Sequence, residues 1–161
     1  MFELKSSAAT TKHELYADIE EQLRNLLAGE RDFVANAANM AAVIYHLLPD
    51  LNWAGFYLAK EEQLVLGPFQ GKPACVRIAI GKGVCGAAAW EQRTIIVPDV
   101  NQFPGHIACD GASRSEMVTP LVKDGSLIGV LDLDSPKAAR FDEEDQEGCE
   151  RLVSVLLEST A

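Results

Sequence analysis

The chain has 161 residues, of which 48% are hydrophobic, and 24 acidic against 14 basic side chains give a formal net charge of −10. A chain of this length can bury about 70% of the surface that it exposes when unfolded, so one domain needs neither disulfides nor a structural metal. The negative charge repels phosphate backbones and anionic lipid headgroups. We therefore expect a single domain that binds neither nucleic acid nor membranes.

We expect neither a leader peptide nor a membrane span. Its longest uncharged stretch, Phe33–Pro49, is interrupted by polar residues and is shorter than a bilayer requires. Residues 1–16 lack an apolar run before a cleavage site. We expect a cytoplasmic protein, in which four cysteines indicate metal, redox or catalytic use, or core packing, rather than structural bridges.

Two helices are predicted to precede any strand. Thr11 and Glu14 have the spacing of a capping box, and apolar residues then recur at helical intervals to about Ala28. The apolar positions that begin at Phe33 predict a second helix, which stops at Pro49.

The rest of the chain is predicted to form six strands and two helices. The predicted strands are 52–59, 63–68, 76–80, 94–97, 115–122 and 127–135, and the predicted helices are about 84–90 and 142–159. This order lacks the strict alternation of a parallel α/β sheet. It favours an α+β fold, in which an antiparallel six-stranded sheet is flanked by helices and the two N-terminal helices pack with the C-terminal helix.

Three of the four cysteines lie at the ends of predicted elements. Cys75 opens the third strand, Cys85 lies among glycines at a helix start, and Cys109 lies in the irregular segment 99–114, whereas Cys149 lies on the apolar stripe of the last helix. Loose backbone N–H groups at such positions stabilise a thiolate and favour nucleophilic or redox chemistry. The alternative is that all three are inert, small hydrophobic residues.

Metal and dinucleotide binding are weaker interpretations. The three cysteines are 10 and 24 residues apart, and only His106 and Cys109 have the close spacing of zinc ligands, so we expect no metal. The glycines of GKGVCG at 81–86 match a dinucleotide-binding pattern, but the helix after them is short and no βαβ unit follows. A structural turn is expected, whose exposed amides could still polarise Cys85.

Two aspartates interrupt an otherwise aliphatic strand, LIGVLDLDSP. Asp132 and Asp134 are two residues apart and so share one face of the strand, and the predicted antiparallel partner carries Glu116 at a similar distance from the KDGS turn. Repulsion and burial would raise the pKa of at least one carboxyl, leaving a proton donor beside groups that bind a cation. The alternative is a solvated sheet face. Trp53 and Tyr57 could add a ring wall and hydrogen-bond donors, or be core residues.

Several blocks of this chain together resemble the free methionine-(R)-sulfoxide reductases, which are built on a GAF domain. They are NWAGFYL, LGPFQGKPACVRIAIGKGVCG, PGHIACDGASRSEMVTPL and IGVLDLDSP, with RFDEEDQ after them. The resemblance extends from about Tyr16 to the C-terminal helix. It implies an α/β-type GAF fold, with 1–161 as a single GAF domain and a core of about 16–159.

The resemblance also implies a thiol mechanism without a bound cofactor. Cys109 would attack the sulfur of free methionine sulfoxide, releasing methionine and leaving a sulfenic acid. Cys75 would resolve that sulfenic acid as a disulfide, with Cys85 as an auxiliary or alternative resolver. Thioredoxin, kept reduced by NADPH through thioredoxin reductase, would restore the dithiol.

The substrate site implied by this resemblance combines acids with an aromatic wall. Glu116, Asp132 and Asp134 match the acids that hold the substrate ammonium and assist protonation of the sulfoxide oxygen, with Asp134 as a catalytic candidate, and Trp53 matches a donor to that oxygen. From the residues themselves, Tyr57 joins the wall, and amides around Ile107, Ala108 and Cys109 could bind the substrate carboxylate. The rivals are a non-catalytic GAF module that senses a small ligand and a thiol peroxide sensor. Dimerisation is left open.

Overall fold

This computed structural model describes residues 1–107 and 110–160. These residues contain four helices and six strands. The helices are α1 (Lys12–Leu27), α2 (Phe33–Leu47), α3 (Gly83–Glu91) and α4 (Glu143–Ser159). The strands are β1 (Trp53–Lys60), β2 (Gln63–Gly71), β3 (Arg77–Ala79), β4 (Ile95–Val97), β5 (Ser115–Lys123) and β6 (Ser126–Ser135). A single 3₁₀ turn, Val100–Gln102, follows β4.

The strands form one sheet in the order β3-β2-β1-β6-β5-β4, and each neighbouring pair is antiparallel. The predicted α+β class and the six-stranded antiparallel sheet are therefore confirmed. Strand β6 lies between β1 and β5, so residues near its C-terminal end have a neighbour on both sides. That position brings three segments, distant along the chain, to one place on the sheet.

Helices α1, α2 and α4 begin at polar caps. Thr11 accepts a hydrogen bond from the Glu14 N–H, whereas the Glu14 carboxylate accepts from Thr10 rather than from Thr11, so the predicted capping box is only half formed. Asp142 and Asp145 form a complete capping box at the start of α4. Within the described residues, no helix combines the length and apolar character needed to cross a membrane.

The two faces of the sheet are covered differently. Helices α1, α2 and α4 pack together over one face, where Phe56, Met117 and Leu131 join their apolar residues in the larger core cluster. Helix α3 covers part of the other face, where Tyr57 and Val130 join a smaller cluster. Alternation along each strand sends successive side chains to opposite faces, which separates the main core from the α3 side.

Close packing of α1 against α4 surrounds one buried carboxylate. A side chain at Gly148 would lie only 2.3 Å from the Tyr16 ring, so glycine allows this approach. The Tyr16 hydroxyl donates to Asp145 Oδ1 (2.8 Å), and Lys12 Nζ (2.7 Å) and an Arg140 guanidinium nitrogen (3.3 Å) also contact this carboxylate. We call Lys12, Tyr16, Arg140 and Asp145 the Asp145 cluster.

Strand β2 differs from its predicted limits. The hydrophobic pattern ends it at Pro68, but pairing continues to Gly71, because a register shift between Gly55 and Tyr57 of β1 accommodates one extra residue of β2 near Pro68. The predicted strand 76–80 is shorter, since only residues 63–65 of β2 pair with it. The extension of β2 brings Gly71 beside Trp53, and so affects the site.

Candidate active site

A cavity lies on the α3 side of the sheet, where β1, β5 and β6 face the start of α3 and the loop that precedes β5. It is lined by the rings of Trp53 and Tyr57, the thiol of Cys85 and the three predicted acids. His106, Ile107 and Asp110 complete the part of the lining that matters here. The space open to the centres of water molecules is about 40 Å³. The cavity therefore combines apolar walls with several titratable groups in a small volume.

The sheet register brings the three predicted acids together. Glu116 of β5 lies directly opposite Asp134 of β6, and Asp134 lies opposite Trp53 of β1. Asp132, two residues earlier on β6, pairs with Val118 and with Gly55, and the glycine places no side chain beside it. The predicted convergence of Glu116, Asp132 and Asp134 on one face is thus what the structure shows, and we call them the acid trio.

The surroundings of the acid trio favour the protonated form of its carboxyl groups. Glu116 and Asp132 are buried and Asp134 is partly buried. Burial raises the pKa of all three carboxyls well above the ordinary range, and the negative charge of the neighbouring acids raises the pKa of each further. The Asp132 Oδ1 atom is buried with no hydrogen-bond partner among the described residues. The cavity therefore holds a carboxyl oxygen that can still accept a hydrogen bond.

Cys85 lies beside these acids and is a buried free thiol. The expectation that backbone amides at the helix start activate it is wrong, because burial raises the pKa of this thiol well above its usual value and the neighbouring acids raise it further. The glycines around it have a structural role, since the Gly81 N–H donates to the Gly86 carbonyl across the turn at 2.8 Å. Cys149 is buried in the main core, as predicted, and burial raises its pKa to about 12.

The two aromatic residues form a wall, but their donors already have partners. The Trp53 ring stacks on Phe69 and Tyr57, with centroid distances of 5.2 and 5.9 Å. Trp53 Nε1 donates to the Lys72 carbonyl (3.0 Å), so its predicted availability as a donor to substrate is not what this structure shows. The Tyr57 hydroxyl donates to the Cys75 carbonyl (2.9 Å). Both donors therefore hold the segment that carries Cys75.

The loop before β5 covers the cavity. The Ile107 side chain approaches Gly83, where an added Cβ would lie 3.2 Å from Ile107 carbons and where φ is +63°, so glycine is required at this helix start. His106 Nε2 lies 3.6 Å from Glu116 Oε1, and burial lowers the pKa of His106. Cys75 is disulfide-bonded. Of the predicted site residues, Ala108 and Cys109 lie outside the described residues.

Sequence reasoning missed several groups at this cavity. Asn52, just before β1, donates to both Asp110 and Ser113, and the latter two line the cavity together with Lys82. The backbone amides at the start of α3, which the sequence predicted to be exposed, receive no side-chain cap from Lys82. An isolated asparagine before a strand carries no sequence signal for such contacts, since its partners are about 60 residues away.

A metal-ligand geometry was also invisible in the sequence. Cys85, Glu116 and Asp132 place potential ligand atoms within 4.8 Å of one another. The spacing along the chain predicted no metal because it compares neighbours in sequence, whereas these residues come from α3, β5 and β6. A thiol with two carboxyls could coordinate a divalent cation such as zinc.

Comparison with known proteins defines the class of this fold and site. The sequence profile of the GAF domain matches residues 13–157. The chain is 52% identical, over 145 residues, to the free methionine-R-sulfoxide reductase of Escherichia coli (strain K12), covering 90% of this chain and 88% of that protein. The chain belongs to the GAF domain family, in the group of the free methionine-R-sulfoxide reductases. The predicted resemblance is confirmed.

Solved structures agree with this assignment. The free methionine-R-sulfoxide reductase of Neisseria meningitidis in complex with its substrate superimposes with a TM-score of 0.94 at 45% identity, covering 99% of this chain and 95% of that chain. A protein from Burkholderia vietnamiensis described as a putative GAF sensor superimposes with a TM-score of 0.91 at 60% identity, covering 94% and 96%. The two descriptions correspond to the two functions considered above.

Proposed function

We propose that this protein is an oxidoreductase that uses cysteine thiols to reduce free L-methionine (R)-sulfoxide to L-methionine. The observation that carries the proposal is the buried acid trio, with an unpartnered Asp132 oxygen, facing an aromatic wall in a small cavity. The substrate complex of the Neisseria meningitidis relative supports the choice of substrate. The chemistry needs no bound cofactor or metal.

The acid trio accounts for selection of a free amino acid. A substrate ammonium donates three hydrogen bonds, and Asp132 offers an unsatisfied buried acceptor with Glu116 and Asp134 beside it. The substrate carboxylate would be bound by uncapped N–H groups at the start of α3, near Gly83 and Val84, and by the predicted amides around Ile107. Methionine within a peptide has no free ammonium and would lose the first of these interactions.

The acids also assist the reduction. A sulfoxide oxygen leaves poorly unless it is protonated, so the reaction needs a thiolate at sulfur and an acid near the oxygen. Burial and mutual repulsion raise the pKa of the trio, which keeps a proton available at neutral pH. We assign this proton to the trio, with Asp134 as the predicted donor. Trp53 and Tyr57 would contribute apolar surface to the substrate side chain.

The cysteines would act in a defined order. The Cys109 thiolate attacks the sulfur, oxygen passes to the cysteine as a sulfenic acid, and methionine leaves. The Cys75 thiol then displaces that oxygen as water and forms a disulfide, which the dithiol of thioredoxin reduces by exchange. Dependence on thioredoxin agrees with the predicted cytoplasmic location.

The structure favours Cys75 over Cys85 as the first resolving thiol. Cys75 is already disulfide-bonded and its carbonyl is held by the Tyr57 hydroxyl, whereas Cys85 is a buried free thiol whose pKa is raised. A raised thiol pKa reduces the thiolate fraction and slows attack. Cys85 would therefore serve as a wall of the pocket and only as an auxiliary resolver.

The decisive experiment is a coupled assay with thioredoxin, thioredoxin reductase and NADPH. Both epimers of methionine sulfoxide are supplied free and within a peptide, and we expect NADPH consumption only with the free (R) epimer. Cys109→Ser should abolish turnover, whereas Cys149→Ser, a matched change in the core, should retain it per folded molecule. EDTA should leave the rate unchanged. Absence of turnover in the wild-type protein, with tight binding of the sulfoxide, would favour the sensor function that the Burkholderia vietnamiensis description suggests.

A further inference from the structure

Asn52 connects the segment after Cys109 to the strand that carries Asp134. It directly precedes β1, and its backbone N–H donates to the Asp134 carbonyl at 3.0 Å. Its side-chain Nδ2 donates to Asp110 Oδ2 and to Ser113 Oγ, both at 3.1 Å. Asp110 is the residue that follows Cys109 in the chain. Asn52 therefore contacts the acid trio's strand through its backbone and the neighbour of the proposed nucleophile through its side chain.

Asp110 is well prepared to accept this contact. Its Oδ1 atom accepts from the Ala112 N–H (2.9 Å) and its carbonyl accepts from the Ser113 N–H (3.2 Å), which makes 110–113 a compact turn. The Ala112 N–H, the Asn52 amide and the charge of Lys72 lower the pKa of Asp110, so it is a carboxylate. The turn is joined to the sheet at its far end, where the Arg114 N–H donates to the Ser135 carbonyl at 2.7 Å.

Asn52 therefore provides the second attachment of this turn, at the end next to Cys109. Its Oδ1 atom is buried and receives no hydrogen bond from the described residues, while both recorded side-chain contacts come from Nδ2. An unsatisfied buried acceptor is unfavourable by itself. The Asn52 amide is therefore oriented so that Nδ2 donates to Asp110 and Ser113, although this leaves Oδ1 without a hydrogen bond from the described residues.

We propose that Asn52 is a positioning residue, which holds Asp110 so that Cys109 is kept where it forms the disulfide with Cys75. The identity of the disulfide partner rests on the proposed function. Asparagine suits this position because it is an uncharged donor. Aspartate would place a second carboxylate about 3 Å from Asp110, and alanine would leave Asp110 without this partner.

The test is a redox titration of Cys75 in buffers of reduced and oxidised dithiothreitol, read by alkylation and mass spectrometry. In Asn52→Asp the disulfide should become about tenfold less stable, which for a two-electron couple raises its reduction potential by about 30 mV. Asn39→Asp, which adds the same charge on the exposed surface of α2, should titrate like the wild type.

The double variant Asn52→Asp, Asp110→Asn separates the specific contact from a general effect of charge. The amide introduced at position 110 keeps an oxygen for the Ala112 N–H and gains a donor for the carboxylate introduced at position 52, so the hydrogen bond reforms with its direction reversed. We expect the disulfide stability to return to within threefold of that of the wild type. Equal potentials for Asn52→Asp and the wild type, or no recovery in the double variant, would overturn the proposal.

Asn52→Ala guards against misfolding of the charged variant. It should lower kcat about fivefold and leave KM within twofold, because the acid trio and the aromatic wall still bind the substrate. A residue needed only for folding would lower the melting temperature without changing the Cys75 potential or kcat per folded molecule. If the wild-type protein shows no turnover but the potentials shift as described, the reductase function fails and the positioning role of Asn52 stands.

Discussion

Two carboxyl groups in this protein are almost equally buried and have opposite surroundings. Asp145 is 0% exposed and Asp132 is 6% exposed. The Asp145 carboxylate accepts hydrogen bonds from the Tyr16 hydroxyl, from Lys12 and Arg140, and from the backbone N–H of Asp142. Asp132 has two other acids beside it and an oxygen without a partner among the described residues.

This difference separates a structural site from a binding site. The donors and cations around a buried charge offset its desolvation cost, so removing one partner destabilises the fold, and they leave no capacity for a ligand. A buried carboxyl beside other acids makes the empty protein less stable, and a cationic ligand would relieve this cost. The Asp145 cluster therefore joins α1 to α4, and the acid trio is a site for a substrate ammonium.

The same isosteric substitution at the two positions provides the strongest test. Asp145→Asn removes the negative charge between Lys12 and Arg140, and we expect the free energy of unfolding to fall by about 3 kcal/mol. Chemical denaturation measures this change. Turnover per folded molecule should stay close to that of the wild type, because the Asp145 cluster lies on the opposite side of the sheet from the cavity. A large loss of turnover in fully folded protein would contradict the structural role.

Asp132→Asn should have the reverse effect. Losing the charge that binds the ammonium should lower kcat/KM for free methionine sulfoxide about 10- to 100-fold, the cost of one hydrogen bond to a charged group. The free energy of unfolding should be unchanged or slightly higher, since repulsion with Glu116 is relieved. Steady-state kinetics and denaturation on the same preparation measure both. Unchanged kcat/KM would show that the trio does not bind substrate.

The smallest expected effect is a pH dependence of stability. A carboxyl whose pKa is raised by folding binds its proton more tightly in the folded state than in the unfolded chain. Its stabilising contribution is complete below the ordinary carboxyl pKa of about 4 and is lost as the pH rises through the raised pKa. The wild type should therefore lose stability from pH 5 to pH 8 more steeply than Asp134→Asn, in melting curves recorded across that range. If the stabilities of the two proteins changed in parallel with pH, the pKa of Asp134 would not be raised by folding.

The pH dependence of kcat should also report the protonation of Asp134. If Asp134 supplies the proton to the sulfoxide, kcat falls as the pH rises through its raised pKa, and Asp134→Asn is slow at every pH. A pH profile of kcat that is the same in the variant and in the wild type would assign the proton to another member of the trio.

Much of the fold could be predicted because its signals are local. The starts of α1 and α4 follow from Thr11 and Asp142, whose side chains cap the helices directly, and the turn at Asp124 and Gly125 follows from residues that tolerate positive φ. The limits of β2 could not be predicted, since the register shift that carries it past Pro68 depends on pairing with β1. Likewise, the Trp53 N–H is occupied by a carbonyl that only the fold brings near.

The sequence alone determined the order of helices and strands, because periodicity and capping act between near neighbours. For the same reason it determined that Asp132 and Asp134 share one face of a strand and that Cys149 is a core residue. The tertiary structure alone decided that Cys85 is a buried thiol of raised pKa and that Asn52 reaches Asp110. Burial and hydrogen bonding between distant segments depend on how strands pair and helices pack, and no local pattern encodes the dielectric surroundings of a single side chain.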